Sequence, residues 1–202
     1  MIISNSIGCK DFSCSDVNHE CYMVPDIDIN PEQVSIVMIS ECAPEYSKDY
    51  FYTDGDSLFQ ETTVQAFNDA GVKVSSIKDI VDLGIYLTTA VKCGKTGYVI
   101  KADVIKECSK ILEKEISLFP NIKVFLLMGD TAIKSINYIA KRAGENRVIP
   151  AGSTYKIRGN EYFFKGRRAF PSYLQAGSSF FIEKFKRRVI AEDISAALNL
   201  LE

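Results

Sequence analysis

"IKVFLLMGDTAIKSINYIAKRAG", Ile122–Gly144, changes its period halfway along. Ile122–Met128 is apolar at nearly every position, as a strand buried on both faces must be. Beyond Gly129 the apolar residues recur at helical spacing, and Asp130 stands where a helix cap belongs. A strand that passes directly into a helix is the building unit of a parallel α/β sheet.

The same alternation extends outward. "VSIVMIS" (Val34–Ser40) is a short, β-branched apolar run, expected to be a buried strand. "SLFQETTVQAFNDAG" follows with helical spacing at Leu58, Val64 and Phe67, and Gly71 is its stop signal. Gly84–Val91 is a second strand, and "ADVIKECSKILEKEISLF" is a long amphipathic helix tracked by Val104 and Cys108. "YKIRGNEYFFKGRRAF" shortens to a hairpin expected to turn at Gly159–Asn160, and a last helix is expected from about Ser178 to Leu201. This pattern predicts an α/β fold with a mostly parallel sheet covered on both faces, a three-layer α/β/α sandwich. Ligands of such sheets sit outside the carboxyl ends of the strands. That directs attention to "SECAPE", "TTAVKC", "MGDTA" and the hairpin exit "AFPSYLQAG".

Composition bounds the reading. The 202 residues are 47% hydrophobic and 25% charged, which suits one domain with a real core, residues 1–33 forming an N-terminal cysteine-containing segment packed on it. There is no apolar run of membrane-spanning length, and the N-terminus lacks the pattern of a secretory signal, so the chain is expected in the cytoplasm. Disulfides are rare there, so the six cysteines call for buried thiols or metal ligation. Val91–Cys108 carries four lysines and two of those cysteines, Cys93 and Cys108. The net charge of −2 is unevenly spread. Residues 1–70 hold two basic against thirteen acidic residues, whereas 141–188 hold twelve basic against three acidic. An anionic ligand near the C-terminal half is one reading, and a solvated surface is the other.

In their order, the segments "SECAP", "TTAVKC", "MGDTA" and "FPSYL" resemble the four motifs of the uracil-DNA glycosylase superfamily, nearest its iron–sulfur branch. The resemblance implies a central four-stranded sheet and hydrolysis of the N-glycosidic bond of uracil or another deaminated base in DNA, in single strands in particular. It also implies a chain that acts as a monomer. Glu41 takes the position of the motif's acidic residue, which orients water or stabilises charge on the sugar. Phe59, or else Tyr52, would stack on the base. Two positions depart from the family pattern. Its base-reading asparagine falls on Thr89, which offers one short hydroxyl in place of an amide. Its motif histidine falls on Phe170, which cannot donate a hydrogen bond to a departing base. Ser172 matches the family's phosphate-contacting serine. Arg167 and Arg168 are expected on the DNA backbone, within a wider basic set of Arg158, Lys165, Lys184, Lys186, Arg187 and Arg188.

The same branch binds a [4Fe–4S] cluster through two N-terminal cysteines, one after the Val-Lys of its second motif and one on the next helix. Those positions correspond here to Cys9, Cys14, Cys93 and Cys108, with Cys21 as an alternate; Cys9 and Cys14 are separated by four residues where the family has two. Four thiolates also suit tetrahedral zinc. Two other classes of function stand beside the glycosylase: a non-catalytic binder of DNA or nucleotides, and a hydrolase of free nucleosides or nucleotides.

Overall fold

The structure, a computed structural model, describes residues 1–201. Six strands form one mixed sheet: β1 (Val17–Asn18), β2 (Ile36–Ala43), β3 (Ile85–Lys95), β4 (Val124–Met128), β5 (Tyr162–Phe164) and β6 (Arg167–Ser172). Their order across the sheet is β1-β3-β2-β4-β6-β5. The inner four, β3, β2, β4 and β6, are mutually parallel, and β1 and β5 pair antiparallel at the two edges. A sheet of four was expected. The two extra strands have two and three residues, too short to display a period of two.

Seven helices accompany the sheet: α1 (Leu58–Asp69), α2 (Ile77–Asp82), α3 (Ala102–Ile116), α4 (Asp130–Arg142), α5 (Thr154–Ile157), α6 (Ser179–Ile182) and α7 (Lys184–Asn199). Alternate residues of the parallel strands feed two separate cores. Val37, Ile39, Tyr86, Phe125 and Leu127 meet Leu112 and Ile116 of α3 and Ile133, Ile136 and Ile139 of α4. Ile36, Met38, Leu87, Val124 and Leu126 meet Phe67 of α1, Ile80 of α2 and Ile190 and Ile194 of α7. Each such side chain, fully buried, contributes about 1.5–3 kcal/mol. Both faces being covered explains why the strands read as unbroken apolar runs.

The N-terminal segment adds Ile3, Ile7 and Ile29 to the core beneath α3 and α4. It is tied to the sheet where Met23 N donates to Lys92 O at 2.7 Å and where β1 pairs with Gly94 and Lys95.

Three local expectations need correction. The hairpin turns at Lys165–Gly166, not Gly159–Asn160. Both turn residues have positive φ (50° and 75°), the conformation that suits the twist of a two-residue hairpin. The last helix is broken at Glu183 (φ −95°, ψ 76°) into α6 and α7. Asp130 is the first helical residue of α4, not its cap. Gly129 holds the cap position at φ 100°, and Asp130 pairs with Lys134 instead.

Candidate functional site

At the carboxyl ends of β2 and β3 the chain leaves a cleft of about 640 Å³. Its walls are the β2 exit from Glu41 to Tyr46, Asp49, Leu58 and Phe59 near the start of α1, the loop Lys95–Tyr98, and the segment from Leu174 to Ser179. A smaller cleft of about 230 Å³ adjoins it and runs from Gly129 and Asp130 to Lys186 and Arg187 on α7. Glu41 lines both.

The half-buried Glu41 carboxylate lies over the N-terminal turn of α4, where Thr131 N donates to its Oε1 at 3.4 Å. The positive end of the helix dipole favours a negative charge there. Gly129 makes the seat possible. A Cβ on it would stand 2.7 Å from Glu41 Cγ and 2.8 Å from Oε1, and its φ of 100° is one that side chains rarely adopt. The "MGDTA" stretch therefore serves to bring a backbone turn against a carboxylate.

The other expected site residues divide. Phe59 is buried, lines the larger cleft, and has its ring centroid 5.2 Å from that of Phe51. Tyr52 is held elsewhere: its hydroxyl accepts from Leu87 N (3.1 Å) and donates to Leu87 O (2.9 Å) on the outer side of β3. Thr89 is wholly buried in β3 and lines neither cleft, and its Oγ1 has no well-formed hydrogen bond. Phe170 belongs to the core under α7, with the Arg168 guanidinium 4.3 Å from its ring centroid, and does not reach the cleft. Ser172 is also fully buried. Burial raises the nearby Asp193 carboxyl's pKa against hydrogen bonding by Arg158 and then by the Ser172 hydroxyl, which makes no well-formed bond.

Arg167 and Arg168 sit at the opposite edge of the sheet from Glu41. They open β6, and Arg168 pairs with Val124, the first residue of the parallel β4. Arg168 also donates to the backbone carbonyls of Tyr162, Ala169 and Asn160. The sequence shows which strand these arginines belong to, but a hairpin turn displaced by six residues hides which end. Of the wider basic set, Arg158 pairs with Asp193 and Glu192, and Arg187 with Asp69. Lys186 pairs with Glu183 and Arg188 with Glu192. Among the described residues, Lys184 and Lys95 have no acidic partner within 4.0 Å. The larger cleft carries Glu41, Glu45 and Asp49 against Lys95 alone, so its floor is acidic.

The thiols form a second centre. Cys93 and Cys108 lie in one small apolar cluster with Val17, Val91, Val104 and Ile105, and Cys14 packs against it. Burial first, then Cys108, Cys9 and Cys14, pushes the Cys93 thiol up to about 12, so Cys93 lies within electrostatic reach of the other three expected cysteines. Cys93 reaches this position through a bulge in β3: Cys42 is opposite Val91, but Ala43 is opposite Gly94. Cys21, the alternate, donates to Glu45 O at 3.0 Å. His19, the only histidine, places Nδ1 3.3 Å from Cys93 Sγ and Nε2 2.7 Å from Cys14 O. Among the described residues no three His, Cys, Asp or Glu side chains converge closely enough to hold a metal ion. A single tetrahedral zinc at about 2.3 Å from each sulfur would need the sulfurs about 3.8 Å apart. A four-iron cube carries each thiolate on a different iron and so needs the sulfurs farther apart than zinc does.

Sequence reasoning missed a buried ion pair next to this centre. Lys92 and Glu115, both without solvent exposure, are bonded, and Glu115 Oε1 also accepts from Tyr86 and Thr88, each at 2.7 Å. A lysine in a β-branched run signals such a partner only if a carboxylate on the facing helix is recognised, as the position of Glu115 on the apolar stripe of α3 allows. Gln175 was also missed; it bonds Ser40 through both ends of its amide and anchors the segment bordering the cleft.

Neither family models nor curated proteins give a match to this chain.

Proposed function

We propose that this chain is a DNA-binding protein of the uracil-DNA glycosylase type, hydrolysing the N-glycosidic bond of a deaminated base, with Glu41 as the group that orients water or stabilises charge on the sugar. The observation that carries the reading is the seat of Glu41: a carboxylate at the carboxyl edge of a parallel sheet, shared by two clefts and held over a helix N-terminus by a glycine that admits no side chain. Four mutually parallel strands at the centre of the sheet support it as well. So does a cleft volume within the range for small-ligand sites, walled by Phe59 and by exposed Tyr46 and Tyr98, rings on which bases can stack.

Cys9, Cys14, Cys93 and Cys108 would hold a [4Fe–4S] cluster, joining the N-terminal segment, β3 and α3. The cluster's contribution there is a covalent tie between segments; the chemistry on DNA belongs to the cleft.

The burial of Thr89 and Phe170 outside the cleft favours a second reading, a member of the fold that binds DNA without cleaving it. One experiment separates the two. Anaerobically purified protein is incubated with single-stranded oligonucleotides bearing uracil, hypoxanthine or xanthine, and abasic sites are counted. Abasic sites that disappear in Glu41→Gln, with DNA binding kept, support the glycosylase. Binding without abasic sites in the parent selects the second reading.

A further inference from the structure

The amino edge of the sheet, opposite Glu41, has a cleft of its own. It encloses about 410 Å³ between the last turns of α3 and the β5–β6 hairpin. α3 brings Lys110 and Lys114 to it, the hairpin brings Lys165 and Arg167, and buried Ile116 and Phe164 line it between them. Glu113 is the one carboxylate in the lining, and it is already engaged: Arg142 donates to its Oε2 through Nε at 3.1 Å and Nη2 at 2.7 Å. Lys165 Nζ reaches Glu113 Oε1 only at 4.0 Å. Among the described residues, Lys114 and Arg167 have no acidic partner within 4.0 Å.

The sign of the cleft follows. Four cations stand against one carboxylate and against the roughly half negative charge at the end of a helix, so the lining is strongly positive. Lysines near a helix C-terminus are ordinary, and Lys110 and Lys114 alone would mean little. The hairpin cations have no such reason to be there. Lys165 holds a φ of 50° in a two-residue turn, a place that asparagine, aspartate or glycine normally takes. The contrast with the Glu41 side is sharp. The larger cleft there is acidic, and Arg158, Lys186, Arg187 and Arg188 are spent in ion pairs.

We propose that the amino-edge cleft binds the phosphate backbone of a nucleic-acid strand, without regard to sequence, and anchors that strand while the Glu41 cleft receives a base at the other edge. The identity of the polyanion rests on the DNA-binding reading above. Lys110 and Lys114 are four residues apart, about 6 Å along α3, and face two further cations, a row of charges that suits a chain of phosphates better than a single anion. Base edges find no reader here, because the Ser117 hydroxyl is donated to Lys114 O at 2.6 Å. An anchored strand meets the Glu41 cleft as an intramolecular partner, which raises its effective concentration without any new contact at the base.

The test uses fluorescein-labelled oligo(dT) of about 30 nucleotides, which contains no deaminated base, followed by anisotropy between about 50 and 200 mM salt. Lys114→Glu and Arg167→Glu are each expected to weaken binding at least about threefold, and together at least about tenfold. The milder pair Lys114→Gln with Arg167→Gln should flatten the salt dependence by about 1.4, or about 0.7 for each lost contact on a single strand. Lys73→Glu makes the same change of charge at an exposed position just beyond α1, on the other face of the sheet, and should leave binding within about twofold of the parent. No binding by the parent, a double variant that binds as the parent does, or a Lys73→Glu as weak as Lys114→Glu overturns the proposal. So does tighter binding of polyglutamate than of oligo(dT) by the parent, which would make an acidic protein segment the occupant. Glu41→Gln should bind oligo(dT) unchanged. Failure of the glycosylase reading appears separately, as absence of abasic sites in uracil-containing DNA while oligo(dT) binding still depends on Lys114 and Arg167.

Discussion

Glu41 and Gly129 are one device. The carboxylate occupies space that any Cβ at residue 129 would take, with Glu41 Cδ itself 2.9 Å from that Cβ position. Gly129→Ala is therefore expected to cost at least the ~1–2 kcal/mol of a side chain in a left-handed conformation, read as a fall in denaturant midpoint. It should also push Glu41 off the α4 terminus, so any base excision should fall with it. Glu41→Gln keeps the volume and the φ and should leave stability within about 0.5 kcal/mol while abolishing excision. If Gly129→Ala keeps full activity, the carboxylate's seat does not matter to the chemistry. At this scale the sequence was informative about Glu41, whose position at the end of an apolar run is visible in "VSIVMISE". It could not locate Thr89, Phe170 or Arg167. Their roles depend on which face or which end of a strand they occupy, and a strand buried on both faces shows no alternation from which to decide.

Between elements, the Lys92–Glu115 pair fixes β3 against α3, the two elements that carry Cys93 and Cys108. Neither charge is solvated. Lys92→Met leaves the Glu115 carboxylate buried with only two hydroxyl donors, and about 3–5 kcal/mol of stability should be lost. Replacing both partners with apolar residues of similar volume, Lys92→Met with Glu115→Leu, should restore most of it in chemical denaturation. A double variant as unstable as the single one would show that the pair acts through Tyr86 and Thr88 and not through its charge. On the other face, Asp69 of α1 and Arg187 of α7 form an exposed latch. Hydrogen bonding by Arg187 holds the Asp69 carboxyl below its usual 3.8. A depressed folded-state pKa means that the latch's contribution is complete above about pH 3.8 and disappears as pH falls through the lower value. Asp69→Asn should flatten that part of the stability–pH curve and leave the curve near neutrality within a few tenths of a kcal/mol of its shape, because the pair is largely solvated. Elements with ten or more residues and a clear period were legible beforehand, as α1, α3 and α4 illustrate. The six-residue α2, with its Ser76–Asp79 capping box, and the two-residue β1 fell below the length at which a period registers.

Across the molecule, the four cysteines would tie residues 8–23 of the N-terminal segment to β3 and α3. Residues 1–33 contain only short 3-10 turns and the two residues of β1, and their attachment near the thiols rests on the β1–β3 pairing, on the bonds of Met23 to Lys92, Thr96 to Asp16 and His19 to Cys93, and on the Asp16–Lys101 ion pair. Ile3, Ile7 and Ile29 anchor the rest of this segment in the core under α3 and α4, so residues 8–23 are the part that leans most on the thiol centre. Loss of a bound cluster should accordingly loosen the N-terminal segment first and leave β2, β3 and β4 protected, a local opening and not global unfolding. Anaerobically purified protein is expected to be brown, with about four iron and four sulfide per chain. Cys93→Ser and Cys108→Ser should lose the colour, whereas Cys21→Ser should keep it, because that thiol is bonded to the Glu45 carbonyl on the far side of Gly94. Hydrogen exchange compared before and after chelation should show faster exchange in residues 8–23 and little change in 36–39 and 124–128. Colour lost in Cys21→Ser, or retained in both Cys93→Ser and Cys108→Ser, would assign the metal to a different set of thiols. A colourless anaerobic preparation with neither iron nor zinc would make the centre an apolar packing of thiols, and the ordering of residues 8–23 would then rest on Tyr22, Phe12 and His19, whose rings already pack edge to face around it.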